Sequence, residues 1–148
     1  MNMSLPKQQG FTLIELVMVI VILGILASFA VPRFAEITVD ARASTVNGLA
    51  GSLRSAAALA HATSLARAAS GAQSVNMDGV SIAMINFYPT ASGIRDALQD
   101  ITGFSFSTSA TVATFERAGA TTAASCRATY TQAATGAAPT ISTVTSDC

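Results

Sequence analysis

The feature that most constrains this chain is an apolar run near its N-terminus, "FTLIELVMVIVILGILASFAV" at residues 11–31, in which Glu15 is the one ionisable side chain. As a helix rising about 1.5 Å per residue, the run spans roughly 30 Å, the thickness of a hydrocarbon core. A carboxylate in that core costs about 2.5–3.5 kcal/mol on insertion scales. The run therefore predicts a membrane-spanning helix, and Glu15 requires a compensating partner.

Three interpretations of this N-terminus are open. A secretory signal peptide would be cleaved after the small residues "SFA" at positions 28–30, and a signal anchor would keep Lys7 in the cytoplasm. Neither explains the carboxylate of Glu15. The third interpretation uses both sides of Gly10: "KQQG" followed by "FTLIEL" resembles the processing site of the type IV prepilins. On these residues the chain is identified as a member of the type IV pilin family.

This resemblance gives Glu15 a partner. In the family, a prepilin peptidase cuts after the glycine, here Gly10, and methylates the new terminal amine, here that of Phe11. The Glu15 carboxylate could pair with this amine on its own chain or with the amine of a neighbouring chain. The resemblance implies the second, in which the pair sets the register of a helical filament. Because an unpaired buried charge is heavily penalised, a subunit out of register would be rejected.

Gly24 and Pro32 lie within the apolar run and just after it. Pro32 has no N–H to donate to the helix, which predicts a kink or a local opening there. The resemblance implies that the segment between these two residues can melt in the filament. A helix with one simple bend is the alternative, and the sequence leaves both open.

After Pro32 the pattern becomes amphipathic and predicts that the helix continues to about Ser70, with Gly71 as its C-terminal cap. We therefore divide the chain into a leader (1–10), a membrane or filament-core half-helix (11–32), an amphipathic half-helix (33–70) and a globular head (71–148). The apolar stripe of the amphipathic half recurs at helical spacing: Val39, Val46, Leu49, Leu53, Ala57 and Ala60.

The head pattern predicts short antiparallel strands. A turn at Asp78 and Gly79 precedes a predicted strand at residues 80–88, and "ASGIRDALQD" predicts a short helix with Ser92 as its N-cap. "FSFSTSATVATFER" predicts one or two strands, and the last 23 residues predict a hairpin whose turn includes Gly136 and Pro139. The predicted fold is α+β, the type IV pilin fold, with a long N-terminal α-helix packed on a small antiparallel β-sheet head.

The two cysteines are Cys126 and Cys148. In an exported chain, one pair of cysteines predicts one disulfide. Closing that loop would stabilise the fold by about 3.4 kcal/mol in the chain-entropy model. The alternative is two free thiols in a cytoplasmic domain.

The sequence shows no constellation typical of an enzyme, and we predict no catalytic residue, metal site or cofactor. The one histidine, His61, lies among alanines and is interpreted as solvent-facing or lightly packed. Asp78, Asp96 and Asp100 are too scattered for a cation-binding loop and are interpreted as turn and helix-surface residues. The formal net charge is zero, which gives no electrostatic basis for binding nucleic acid.

These features favour the major pilin of a bacterial type IVa pilus, held in the inner membrane as a precursor and then assembled into an extracellular filament. The resemblance implies five partners: copies of itself, the inner membrane, prepilin peptidase, a motor ATPase and a platform protein. It also implies a role in adhesion and biofilm formation, with motility or DNA uptake as further roles. The stretch "GVSIA" to "YPTASGI" further resembles mannose-sensitive haemagglutinin-type pilins. The alternatives are a type II secretion pseudopilin, a minor pilin or, from another class, a membrane-anchored periplasmic binding domain.

Overall fold

The computed structural model of the protein describes residues 10–148, without the side chains of residues 32–35. Nine of the ten leader residues, including Lys7, lie outside the described part. A single long helix, α1 (Leu13–Ala66), is followed by short strands and one four-stranded antiparallel sheet. The predicted α+β class is confirmed.

The elements after α1 are small. The strands are β1 (Val75–Met77), β2 (Val80–Ile82), β3 (Met84–Ile85), β4 (Tyr88–Pro89), β5 (Phe104–Ser109), β6 (Val112–Arg117), β7 (Arg127–Thr131) and β8 (Thr140–Val144). A four-residue helix, α2 (Gly93–Asp96), follows β4, and a 3₁₀ turn (Ala123–Ser125) precedes β7. Strands β1 and β2 pair, β3 and β4 pair, and β5 to β8 form the larger sheet in chain order.

The described residues divide into two compact units, residues 10–38 and 39–148. In the first unit, the described apolar side chains from Phe11 to Val31 are exposed on every face of the helix. In the second unit, the predicted stripe of α1 is buried from Val46 to Ala60. The prediction is wrong only for the first residue of the stripe, Val39, which is 37% exposed.

The core of the second unit lies between this stripe and the four-stranded sheet. Leu53, Phe115 and Tyr130 are completely buried there, together with Ile94 of α2. In the sheet, Phe106 lies opposite Phe115, with the ring centroids 5.1 Å apart. The predicted hairpin of the last 23 residues is confirmed by β7 and β8, and the stretch predicted to form one or two strands forms two, β5 and β6.

The C-terminal end of α1 differs from the prediction. The helix ends at Ala66 rather than near Ser70, because Ala68 takes a left-handed backbone conformation with φ 47°. The N–H of Ala69 then donates to the Ser64 carbonyl at 3.1 Å, which closes the helix end as a C-cap does. Gly71 is not the cap; a Cβ there would lie 3.1 Å from the Phe87 ring.

The predicted strand at residues 80–88 is also wrong. The turn at Asp78 and Gly79 is confirmed by their positive φ angles. The predicted strand is interrupted twice, at Ala83 between β2 and β3 and at a turn of Asn86 and Phe87 between β3 and β4. Pro89 is the last residue of β4 and lies opposite Met84.

The predicted N-cap of α2 is wrong as well. Ser92 has helical backbone angles, and its side chain caps nothing. The Thr90 hydroxyl accepts the Gly93 N–H at 2.9 Å and takes the place of the predicted cap.

Candidate functional site

The candidate site is the N-terminus of α1, beginning with the bond between Gly10 and Phe11. Both residues precede the helix, which starts at Leu13. Gly10 is exposed, and the Phe11 side chain is 92% exposed. Peptidases cut exposed chain outside regular structure more readily than helices. The geometry of this bond therefore allows cleavage without unwinding α1.

Glu15 forms a capping box with Thr12. Oε2 of Glu15 accepts the Thr12 backbone N–H and the Thr12 hydroxyl, each at 2.8 Å. In return, the Thr12 hydroxyl oxygen lies 3.3 Å from the Glu15 backbone N–H and accepts it. This is the reciprocal arrangement that a threonine N-cap and a glutamate three residues later adopt at a helix start. Part of the cost of this carboxylate is therefore offset within the same chain.

The capping box occupies only one oxygen of Glu15. Within residues 10–148, Oε1 of this carboxylate accepts no hydrogen bond. A carboxylate has about four lone-pair positions, so Glu15 can keep its cap and accept an ammonium as well. Its place in the first turn also suits the positive end of the helix dipole. Glu15 is thus held in place with one face open to a cation.

The helix that follows is apolar on all sides. Leu23 is 58% exposed and Phe29 is 74% exposed, although both are large apolar residues. Among residues 10–148, α1 is the one helix long and apolar enough to cross a membrane. A helix that is apolar all round is normally covered by lipid or by other protein. This segment therefore needs an environment that the rest of the described chain does not supply.

Gly24 and Pro32 lie inside a continuous α1. A Cβ on Gly24 would meet nothing within 4 Å, so packing within the described chain does not require glycine there. The predicted kink or melting between Gly24 and Pro32 stays a prediction about the assembled state.

The predicted disulfide is confirmed: Cys126 and Cys148 are bonded, and both are buried in the core. The alternative of two free thiols is wrong. Nη1 of Arg42, on α1, donates to the Cys148 carbonyl oxygen at 2.8 Å. The disulfide and this hydrogen bond together attach the last residue both to the start of β7 and to α1.

The remaining candidate residues have structural contacts. His61 is half-buried and stacks on Tyr88, in agreement with its interpretation as lightly packed. Asp78 lies in the β1–β2 turn, and Asp96 lies on α2 beside Arg95. The Asp100 carboxylate accepts the Thr102 hydroxyl and N–H, and these hydrogen bonds lower the pKa of Asp100.

Sequence reasoning missed two residues of these sites, Thr12 and Arg42. The spacing "TLIE" is the capping-box signature and could have identified Thr12. Arg42 had no such signal, because its partner is 106 residues away.

Comparison with known proteins supports a type IV pilin. Residues 5–31 match the family model described as the prokaryotic N-terminal methylation motif. The chain is 52% identical over 54 residues to "Type IV narrow pilus major component PilA5" of Thermus thermophilus. That match covers 36% of this chain and 47% of the relative, so it spans about half of the relative's length. No solved structure matches the chain. The finer resemblance to mannose-sensitive haemagglutinin-type pilins stays a prediction.

Proposed function

We propose that this chain, which has a methylation-motif N-terminus and the fold expected of a type IV pilin, is the major structural subunit of a type IV pilus. The observation that carries the proposal is the pairing of two features at the start of α1. The exposed bond between Gly10 and Phe11 is four residues before Glu15, whose Oε1 accepts no hydrogen bond from residues 10–148. Cleavage of that bond creates the cation that this oxygen lacks.

The proposed assembly step follows from this geometry. Prepilin peptidase cuts after Gly10 and methylates the amine of Phe11, which stays protonated and positively charged. The capping box with Thr12 fixes the Glu15 side chain, and Oε1 accepts the ammonium of a neighbouring subunit. In an apolar surrounding this pair is strongly favoured over either charge alone. Only a subunit in the correct register presents its ammonium at that position.

Burial of the exposed apolar segment supplies the cohesion between subunits. Apolar surface removed from water contributes about 25 cal/mol per Å², and residues 11–31 expose apolar side chains on every face. Lipid covers this surface in the inner-membrane precursor, and helices of other copies cover it in the filament. A motor ATPase and a platform protein would drive the transfer. Adhesion and biofilm formation are the proposed uses of the filament, with motility or DNA uptake as further ones.

The second candidate is a type II secretion pseudopilin, or a minor pilin. The resemblance to the family implies that major pseudopilins end in a calcium-binding loop without a terminal disulfide. The observed Cys126–Cys148 bond favours the pilus subunit.

Two measurements on the intact protein test the proposal. Mass spectrometry of sheared surface filaments should find this chain beginning at N-methylated Phe11. A mature protein beginning at Met1 or Val31 would contradict the processing step. Surface filaments built from another chain, with this one absent or rare, would contradict the assignment as major subunit.

The charge of Glu15 is tested with two variants, each expressed alone and beside the wild type. Glu15→Gln keeps an oxygen that can accept from Thr12 but removes the charge. We expect membrane insertion to be normal and filaments to be absent or at least tenfold fewer by electron microscopy. Thr12→Val removes the cap but keeps the carboxylate, so we expect filaments to form in reduced number. If Thr12→Val were as defective as Glu15→Gln, the role of Glu15 would be capping and not pairing.

A further inference from the structure

The head contains a groove where α1, the β3–β4 turn and the β7–β8 loop meet. Two adjoining cavities, of about 360 and 250 Å³, form this groove, and both are lined by His61, Tyr88 and Ala138. Their combined volume falls in the range of small-ligand sites, which runs from about 300 to 1,000 Å³. We call it the His61 groove.

The pair at its centre leaves polar atoms without partners. The rings of His61 and Tyr88 stack with their centroids 4.2 Å apart and an angle of 2° between planes. Nδ1 of His61 lies 3.0 Å from the Phe87 carbonyl oxygen. Because a carbonyl only accepts, Nδ1 carries the hydrogen, and Nε2 keeps a lone pair in the neutral ring. Within the part of the chain that the structure describes, neither Nε2 of His61 nor the Tyr88 hydroxyl has a hydrogen-bond partner.

The turn that bears Tyr88 is held in an unusual conformation. Asn86 and Phe87 both have positive φ, at 50° and 69°, which is rare for a residue as large as phenylalanine. Hydrogen bonds fix the turn: Nδ2 of Asn86 donates to the Ala133 carbonyl, and the Phe87 N–H donates to the Gly71 carbonyl, each at 2.9 Å. Strained backbone that its surroundings hold in place is typical of binding sites.

The His61 groove has a positive charge at one end, that of Arg54, and apolar walls along its length. Arg54 lines its smaller cavity and, among residues 10–148, forms no ion pair. Between the polar groups, the walls are apolar and include Ala57, Pro139 and Ile141. At the opposite end, the Phe87 ring is 39% exposed. A ligand that fits would carry one negative charge, hydroxyl groups and an apolar ring face.

We propose that the His61 groove binds an acidic saccharide, with one hexuronate residue as the recognised unit. Its carboxylate pairs with the guanidinium of Arg54, and its hydroxyls bond to Nε2 of His61 and to the Tyr88 hydroxyl. The C–H face of the sugar ring packs against the apolar wall. A single cation with aromatic neighbours selects a singly charged sugar and gives no reason to bind a polyanion.

This inference names a ligand for the proposed surface filament, but its test does not depend on filament assembly. The full chain in detergent micelles is titrated calorimetrically with a trisaccharide that contains one galacturonate unit and two galactose units and, in parallel, with the neutral galactose trisaccharide. We expect the acidic sugar to bind and the neutral one to bind at least tenfold more weakly. If the chain binds the acidic sugar but builds no filaments, the proposed function fails and this site stands. If it builds filaments but does not bind the sugar, only this site fails.

Three variants locate the site. Arg54→Gln should weaken binding roughly tenfold, the effect of losing one charge-assisted contact. Arg67→Gln is the matched control, an exposed arginine just beyond the end of α1, and should leave binding unchanged. Tyr88→Phe removes one hydroxyl while keeping the ring stack, and should weaken binding roughly two- to tenfold.

Near-ultraviolet circular dichroism on each variant shows whether the head keeps its packing. No binding of the acidic sugar at millimolar concentration would overturn the proposal. So would equal binding of the neutral sugar, or an equal loss of affinity in Arg67→Gln and Arg54→Gln.

Discussion

Apolar side chains are exposed throughout the first half of α1, whereas in the second half one stripe of them is buried. Leu23, in the first compact unit, is 58% exposed, whereas Leu53, in the second, is completely buried. Both are leucines in the same helix, so neither propensity nor hydrophobicity distinguishes them. The first half depends on an environment outside the chain, and the second half is stabilised by contacts within the head. Substitutions in the two halves should therefore alter different measured properties.

The largest effect on the head is expected from Leu53→Ala. It removes a fully buried side chain from the core, which typically costs 2–5 kcal/mol of unfolding free energy. Leu23→Ala should change the unfolding of the head by less than about 0.5 kcal/mol, because its side chain contacts no core. Urea unfolding of the detergent-solubilised chain, followed by near-ultraviolet circular dichroism, measures both.

When the stability of the assembled filament is measured instead, Leu23→Ala should have the larger effect and Leu53→Ala the smaller one. Leu23→Ala removes surface that the proposed filament core buries, so filaments should dissociate at lower detergent concentration. If Leu23→Ala lowered the stability of the solubilised head as much as Leu53→Ala, the two halves would not be independent.

Loss of the disulfide is the next largest expected effect and should also be confined to the head. The bond joins residues 22 apart, and opening a loop of that size should lower the unfolding free energy by about 3 kcal/mol. We expect the paired change Cys126→Ala with Cys148→Ala to shift the urea midpoint of the head without altering membrane insertion. Wild type in excess dithiothreitol should reproduce that midpoint. A failure to do so would mean that the alanines act through packing.

Tyr130 gives a smaller, pH-dependent effect. Its hydroxyl donates to the Pro89 carbonyl at 2.7 Å, and burial, with a lesser contribution from Tyr88, raises the pKa of Tyr130. A raised pKa in the folded state favours the neutral phenol. Its contribution is therefore complete below pH about 10, the ordinary tyrosine pKa, and is lost as the pH rises above that value.

Tyr130→Phe should lower the stability of the head by about 1–3 kcal/mol at pH 7, because the Pro89 carbonyl loses its donor. The variant should also lose part of the fall in stability above pH 10, as measured by urea unfolding at several pH values. Tyr88→Phe is the control at pH 7 only, because the Tyr88 hydroxyl has no hydrogen-bond partner among the described residues but contributes to the raised pKa of Tyr130. An alkaline profile identical to that of the wild type would show that Tyr130 does not titrate on unfolding.

The sequence predicted the elements whose hydrophobic residues recur at a regular spacing. The apolar stripe from Val46 to Ala60 follows from a period of 3.6, and the strands β5 and β6 follow from a period of 2. The β7–β8 hairpin follows from the turn residues Gly136 and Pro139. The split of the predicted strand at Asn86 and Phe87 did not follow, because positive φ at these residues is imposed by hydrogen bonds from distant segments.

The candidate site shows the same division between local and distant signals. The roles proposed for Gly10, Phe11 and Glu15 stay predictions, and they could be made because these residues lie close together in a recognisable order. The capping role of Thr12 has an equally local signal and could have been predicted from the spacing. The contact between Arg42 and Cys148, and the stack of His61 on Tyr88, join residues far apart in the chain. Periodicity carries no information about such contacts.

The smallest expected effect is a stabilisation at the buried end of α1. Ser64 is completely buried, and its hydroxyl has no hydrogen-bond partner in the described structure. A buried hydroxyl without a partner is unfavourable, and alanine is the better helix former. Ser64→Ala should therefore raise the unfolding free energy of the head by about 1 kcal/mol. Ser55→Ala is the matched control on the same helix, because Ser55 is exposed and already donates to the Gly51 carbonyl at 3.1 Å. It should stay within about 0.5 kcal/mol of the wild type. A Ser64→Ala variant less stable than the wild type would show that this hydroxyl makes a hydrogen bond in solution. The buried face of α1 would then contain a stabilising polar contact.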